Sequence, residues 1–444
     1  MTPTTLSDPR SAAQEIGRRH REPEGFLSER LAALEAYLGA PLPDRVLHLW
    51  RYTDPALFVP PDEALPFPSK TAMVSPPSLP DGAVEQVASG TWSGVVVSDA
   101  AGTPQIRLSS EAEKRGVVVM DLHEALRSRK DIVGSFLGRL VGRDASSDGR
   151  GKFEALNFAL WSAGTFVHVP RNVIVEKPLH LFLSLPGGAG PAFLATRLLV
   201  VVEEGAELTV VDECSGGHEG LTLESVFELF AGPNSRLRHV AVQGLERAVT
   251  YHVTQRVSVG RDSNLLTATA SLGSGITKSS FGSFLDGPGA HVELVGFLCA
   301  EGKQQFDHHT MHDHRSGHTT SNLDFKVVLK DRARSAYTGL IRIEKEAPGC
   351  EAYQENRNLL LSEGAKAESI PELEILNDDV KCTHGATVGT LDPEHLFYLM
   401  CRGLPRPDAI RLIVGGFIEP TLSRVPEDLR ERLRSHVEER IKDL

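Results

Sequence analysis

The chain is short of cysteine, of long apolar runs and of basic charge, and each shortage removes a class of protein. Its 444 residues hold five cysteines, Cys214, Cys299, Cys350, Cys382 and Cys401, an odd number with no CxxC pair. That argues against a disulfide framework and for free thiols. No apolar stretch approaches the ~18 residues of a membrane span, and MTPTTLSDPRSAAQEIGRRH at the N-terminus lacks the apolar core of a secretory signal. A cytoplasmic protein is expected. Lys and Arg total 47 against 59 Asp and Glu, a formal charge of −12. Nucleic acids and anionic membranes need clustered cations, so neither is an expected partner. Catalytic pairings are missing too. There is no GxSxG elbow, and Asp378 and Asp379, adjacent in sequence, would point apart on a strand. A non-enzyme is expected. At 41% apolar and 24% charged residues, the composition is nevertheless that of an ordinary globular chain.

What the chain does have is a repeat. Six segments share an apolar run, a short polar turn, a small residue and a second alternating run: VVVEEGAELTVV, ELFAGPNSRLRHV, RVSVGRDSNLLTA, SFLDGPGAHVELV, VVLKDRARSAYTG and LLLSEGAKAESIP. The small residues are Ala206, Ser235, Ser263, Ala290, Ala333 and Ala365, with spacings of 29, 28, 27, 43 and 32. A period in this range signals stacked repeats. No unit holds a helix-length amphipathic stretch, so the expected coil is one of strands, a parallel β-helix. The alternative is a large antiparallel β protein whose hairpin turns look alike.

Helical patterns flank the repeat. The expected plan is an N-terminal helical segment over 1–68, a mixed α/β lead-in over 69–150, the β-helix over 151–376 and a C-terminal helical segment over 377–444. Leu27, Leu31, Leu34 and Leu38 share one helical face that Gly39 and Pro41 close, and Val46, Leu47 and Trp50 mark a short second helix. Residues 55–70 hold five prolines and read as a linker. FEALNFALW reads as a helix ended by Gly164. Near the C-terminus Asp392 caps a helix that Gly403 closes, Ala409, Leu412, Ile413 and Phe417 lie in a second, and Leu429, Leu433, Val437 and Ile441 form a stripe on a third. A coil needs its ends covered, and these helices are placed to do it.

Three segments carry candidate chemistry. LGSGITKSS, from Leu272 to Ser280, imitates a phosphate-binding loop, but Thr277 stands where that loop needs Gly and no helix follows. No nucleotide site is expected. FDHHTMHDHRSGH, from Phe306 to His318, is dense in imidazole. On a strand His308, Thr310, His312 and His314 share one face and His309, Met311 and Asp313 the other. His308, His312 and His314 are candidate metal ligands. The alternative is a polar outer face or subunit contact, since a β-helix interior is not expected to bury so many histidines. Lying inside the 43-residue spacing, the segment reads as an insertion or bulge. In KCTHGATVG, Cys382 and His384 fall together on one strand face. They suit a soft ligand set for iron or an iron–sulfur species, a nucleophile with its base, or a turn with a buried thiol.

Residues 353–417, YQENRNLLLSEGAKAESIPELEILNDDVKCTHGATVGTLDPEHLFYLMCRGLPRPDAIRLIVGGF, resemble the C-terminal signature of the SufB/SufD family of iron–sulfur cluster assembly proteins. FDHHTMHDH, TFVHVPRNVIVEKPLHL and, weakly, LWRYTD extend the likeness. Gly385 after His384, where SufB types usually carry Glu, and the absence of a scaffold cysteine between Gln354 and Asn358 resemble the SufD type more than SufB. The resemblance implies a right-handed parallel β-helix flanked by helices, working as a non-catalytic scaffold subunit. It implies pairing with a SufB-like paralogue and two copies of a SufC-like ATPase docked on the C-terminal helices, here Ala409, Leu412, Ile413 and Phe417. Cys382 and His384 would sit near the paralogue interface, where a transient, shared cluster is built. Pairing of the chain with itself stays open. The competing functions are a metal-storage or metallochaperone protein built on FDHHTMHDH, and a β-helix carbohydrate-active enzyme, which would need an acidic groove and usually export.

Overall fold

A computed structural model describes residues 5–46, 48–64, 82–100, 103–425 and 427–442. The helices are α1 (Pro9–His20), α2 (Glu24–Gly39), α3 (Ala83–Ala88), α4 (Ser110–Lys114), α5 (Leu122–Ser128), α6 (Lys130–Phe136) and α7 (Lys152–Leu160), then α8 (Pro393–Cys401), α9 (Arg406–Leu422) and α10 (Glu427–Lys442). Between them run β1 (Gly94–Ser98), β2 (Gln105–Leu108), β3 (Val118–Asp121), β4 (Ala163–Val169), β5 (Leu179–Leu185), β6 (Ala192–Val202), β7 (Glu207–Gly216), β8 (Leu221–Ala231), β9 (Arg236–Leu245) and β10 (Thr250–Val259). The series continues with β11 (Asn264–Ser271), β12 (Ile276–Leu285), β13 (His291–Ala300), β14 (Gln305–His314), β15 (Thr320–Leu329), β16 (Arg334–Ile343), β17 (Cys350–Leu360), β18 (Lys366–Ile375) and β19 (Val380–Thr390).

From β4 onward every pairing is parallel, and alternate strands stack in two sheets. Even-numbered strands β4 to β18 form one sheet and odd-numbered strands β5 to β19 the other. The chain is the expected parallel β-helix. Its first strands differ: β1 pairs β2, and β3 pairs β4, antiparallel.

The repeat is more regular than its spacings suggest, because two turn series were merged. The turns entering the odd sheet place Ala206, Ser235, Ser263, Ala290, Thr319 and Cys350 in equivalent, almost fully buried positions. Their spacings, 29, 28, 27, 29 and 31, contain no gap. Each follows a residue in the left-handed region, Gly205, Asn234, Asp262, Gly289, His318 and Gly349. Ala333 and Ala365 belong to the turns entering the even sheet. The 43-residue interval is a step from one series to the other, so FDHHTMHDH is no insertion. It is β14, in register with β12 and β16 along its whole length.

The terminal helices cover the sheets' outer faces, not the last rung. Ala12, Ala13, Ile16, Phe26, Ala33, Leu34 and the α7 aromatics Phe153 and Phe158 pack with Phe166, Phe193, Leu199 and Phe230 outside the even sheet. In α2 that inner face centres on Phe26, Arg30, Ala33 and Tyr37, while Leu38 of the expected stripe is 54% exposed. Val414, Ile418, Leu422, Leu433 and Val437 pack with Val240, Val242, Ala268, Val295 and Phe297 outside the odd sheet. The side chains of Leu429 and Ile441 lie outside the described residues.

Other boundaries shift. The expected second helix is one 3-10 turn, His48–Trp50, and Leu47 is not described. Of the expected linker, 55–64 is packed, with Phe58 1% exposed, and 65–81 lies outside the described residues. Helix α7 stops at Leu160, and Gly164 sits within β4. The coil runs on to Thr390, past the expected close at 376.

Buried charge stitches helices to coil. Arg197 on β6 donates to Glu228 on β8 at 3.0 Å and to Asn157 on α7 at 2.9 Å. Glu228 also accepts from the backbone N–H groups of Gly138, Leu140 and Val141. Lys278 donates to Asp307 at 2.9 Å and to the Leu49 carbonyl, and the Thr53 hydroxyl donates to Asp307 at 2.7 Å. The lysine of the phosphate-loop imitation is therefore an internal counter-ion on β12. Burial alone would raise the Asp307 carboxyl, but Lys278 and His309 outweigh it and hold it far below the usual range.

Candidate functional site

Two histidine-bearing strands were candidates, and the fold treats them differently. On β14 the rings of His308, His312 and His314 point into the coil, and none is more than 2% exposed. The interior holds them because hydroxyls meet them there. His308 Nε2 is 3.0 Å from Ser271 Oγ, across the lumen on β11. His312 Nδ1 is 2.6 Å from Ser283 Oγ. His314 Nδ1 and Nε2 meet Thr319 Oγ1 and Ser321 Oγ at 2.7 and 2.8 Å. Burial drives the pKa of His308 and His312 down to about 3 and that of His314 to about 4, so the rings are neutral. On the opposite face His309, 4% exposed, lies 2.9 Å from Asp307. The expectation that an interior could not bury these histidines, leaving a face for solvent or a subunit, is overturned. Among the described residues no three His, Cys, Asp or Glu side chains converge closely enough to hold a metal.

The other strand, β19, is the last of its sheet, and among the described residues only β17 pairs with it. Strand β18 ends the even sheet in the same way. The coil therefore finishes in two unpaired edges of 11 and 10 residues. Long open edges are templates for another chain. Leu373, Ile375, Leu376 and Val388, each at least 36% exposed, set apolar side chains at this end among exposed charges such as Glu374 and Lys381.

Cys382 and His384 project from the inward face of β19, opposite Ala352 and Gln354 of β17. Cys382 packs against the cluster of Ile341, Ile343, Ala347, Cys350 and Ala352. Burial, then the neighbouring Cys350 thiol, pushes its pKa up, so it rests as a thiol. His384 is exposed. Behind it Gln354, 1% exposed, donates to the Gly339 carbonyl at 3.1 Å, and its Oε1 has no partner among the described residues. The rung thus presents a half-buried thiol, an accessible imidazole and an unsatisfied amide oxygen at one opening. Cys350 was missed from sequence, 32 residues from Cys382 with no motif joining them. It holds a Thr319 contact at 3.1 Å and is fully buried.

The helical candidates separate. Ala409 is fully buried, Phe417 is half-buried with Lys326 5.8 Å from its ring centre, Ile413 is half-buried and Leu412 is 57% exposed. Large exposed apolar side chains sit one helix earlier: Phe397, Tyr398 and Met400 of α8 are 68%, 58% and 42% exposed, and α8 buries none of its residues. The signal was in the sequence. HLFYLMC is apolar all round, and such a helix is normally covered.

Comparison with known proteins adds two family matches and two relatives. The model of the SufBD core domain of SUF-system FeS cluster assembly matches residues 186–417. The model of the SufBD protein N-terminal region matches 16–181. The chain is 29% identical to the iron–sulfur cluster assembly protein SufD of Bacillus subtilis over 99% of both chains. It is 27% identical to an iron–sulfur cluster assembly SufBD family protein of Pyrococcus horikoshii, over 98% of this chain and 97% of the relative.

Proposed function

The chain belongs to the SufBD family of SUF-system FeS cluster assembly proteins, as a SufD-type member, and from that premise we propose that it is a non-catalytic, cytoplasmic subunit of a cluster-assembly scaffold. It pairs through the open end of its coil with a SufB-like paralogue. It docks a SufC-like ATPase through α8 and the exposed flank of α9, and binds no nucleotide itself. The iron–sulfur cluster is its cargo, built transiently at the paralogue junction.

One observation carries this reading: the unpaired β18 and β19 edges open beside Cys382 and His384, with Leu373, Ile375, Leu376 and Val388 exposed around them. Pairing would satisfy the edges and bury these side chains. It would also enclose an imidazole and a thiol, ligands suited to iron and sulfide. A mixed imidazole and thiolate set binds less tightly than four thiolates, which suits a site that must release its product. The SufB-like partner is expected to supply the principal thiolate, so Cys382→Ser has the weaker effect.

The test is co-expression with the paralogue and the ATPase, followed by iron and acid-labile sulfide measurement on the anaerobically purified complex. His384→Ala is expected to assemble normally and carry less cluster. Wild-type cluster content in that variant removes His384 from the site.

A further inference from the structure

On the outer face of the odd sheet, a basic pocket lies just beyond the cover of the C-terminal helices. Outward positions along β9 read Arg236, Arg238, Val240 and Val242. The two valines lie under α9 and α10. The two arginines precede them, where the cover ends. In register beside Arg236 stand Asn264 on β11 and His291 on β13; beside Arg238 stand Leu266 and Glu293. Neighbouring strands are ~4.8 Å apart, so these side chains form one compact patch. The turn between α9 and α10 brings Arg424 over it. Together they line an open pocket of about 370 Å³.

Two of the three arginines in this pocket are paired within the chain, and among the described residues the third is not. Arg236 is held by Glu207 at 3.2 Å. Arg424 contacts Glu293 and lies 3.5 Å from Asp324. Arg238 is half-buried and has no carboxylate partner among the described residues. On the same face His291 has its pKa lowered, by burial first and then by Arg424. Three guanidinium groups and an imidazole surround one concavity, with Glu293 among them held by Arg424. Guanidinium forks match the oxygens of a tetrahedral oxyanion, and such bonds are strong when partly desolvated.

We propose that this pocket binds a phosphate-type dianion, which bridges Arg238 and Arg236 of the coil to Arg424 of the helical turn. The bound anion fastens the α9–α10 pair to the sheet it covers.

Titration calorimetry on the full chain would use inorganic phosphate and, separately, glycerol 3-phosphate, with sodium chloride at matched ionic strength as control. Saturable binding of either phosphate is expected, with Arg238→Gln weakening it by about tenfold or more. Binding of inorganic phosphate alone identifies a free anion; binding of the ester identifies a phosphomonoester group. Arg238→Lys keeps the charge but not the fork and is expected to fall between wild type and Arg238→Gln. An unchanged circular dichroism spectrum in both variants excludes misfolding as the cause. No saturable heat with either phosphate, the same heat from chloride, or undiminished affinity in folded Arg238→Gln overturns the proposal.

Discussion

Strands β14 and β19 carry the residue types from which iron sites are made, yet they have opposite fates. Strand β14 is the richer in imidazole. Its three inward rings are sealed in the lumen against serine and threonine hydroxyls, and its Asp307 is tied to Lys278 and Thr53. Strand β19 offers one histidine and one cysteine, but among the described residues no strand lies beyond it. Density of ligand-type residues does not make a site. A neighbouring rung on both sides turns such residues into internal packing, and an open rung leaves them for a partner.

The contrast is tested most severely at Asp307. Asp307→Ala would leave the Lys278 ammonium buried and unpaired, at an expected ~3–5 kcal/mol. Urea denaturation would read this as a lower midpoint. A loss below about 1 kcal/mol would mean that the β14 network is not structural.

Acid probes the same strand. The folded-state pKa values of His308, His312 and His314 lie below the ordinary histidine value near 6.5. Their contribution to stability is therefore complete above about pH 6.5. As pH falls toward about 4, the unfolded chain takes up protons that the native rings refuse. Each histidine is expected to cost ~1–2 kcal/mol by pH 5, measured as a falling urea midpoint. His312→Asn should flatten that fall. An equally steep fall in the variant would place the acid sensitivity elsewhere.

A purely steric change in the same coil gives a similar or smaller effect. Ala290 is 1% exposed at the stacked turn, so Ala290→Leu should destabilise by ~1–3 kcal/mol through overpacking. An unchanged melting temperature would show that the turns have slack.

On the open rung the order of effects reverses. His384→Ala should alter stability by less than about 0.5 kcal/mol, as surface changes do, while lowering the iron content of the assembled complex. Phe397→Ser with Tyr398→Ser should likewise leave melting unchanged and weaken recovery of the ATPase on co-purification. A large stability loss from either would make β19 and α8 structural like β14 and erase the distinction.

The coil was legible because each rung repeats the same local requirements. A left-handed residue turns the chain, a small buried residue follows, and alternating apolar side chains fill the lumen, and all three recur within about 30 residues. The terminal helices were legible by the same local logic of caps and stripes. The Cys382–His384 pair was visible because a strand alternates faces every second residue. Local sequence did not decide which side of each strand faces a neighbour. Whether α8 is covered, whether His308 meets Ser271 across the lumen, and whether Cys350 lies beside Cys382 depend on contacts between residues tens of positions apart. Two turn series of nearly equal length can also be confused in one dimension and are separated only when the sheets stack. Sequence by itself determined a parallel coil with helical flanks and a family likeness. Tertiary structure decided which polar residues are walled in and which are left open, because burial is a property of what lies on the other side of a side chain.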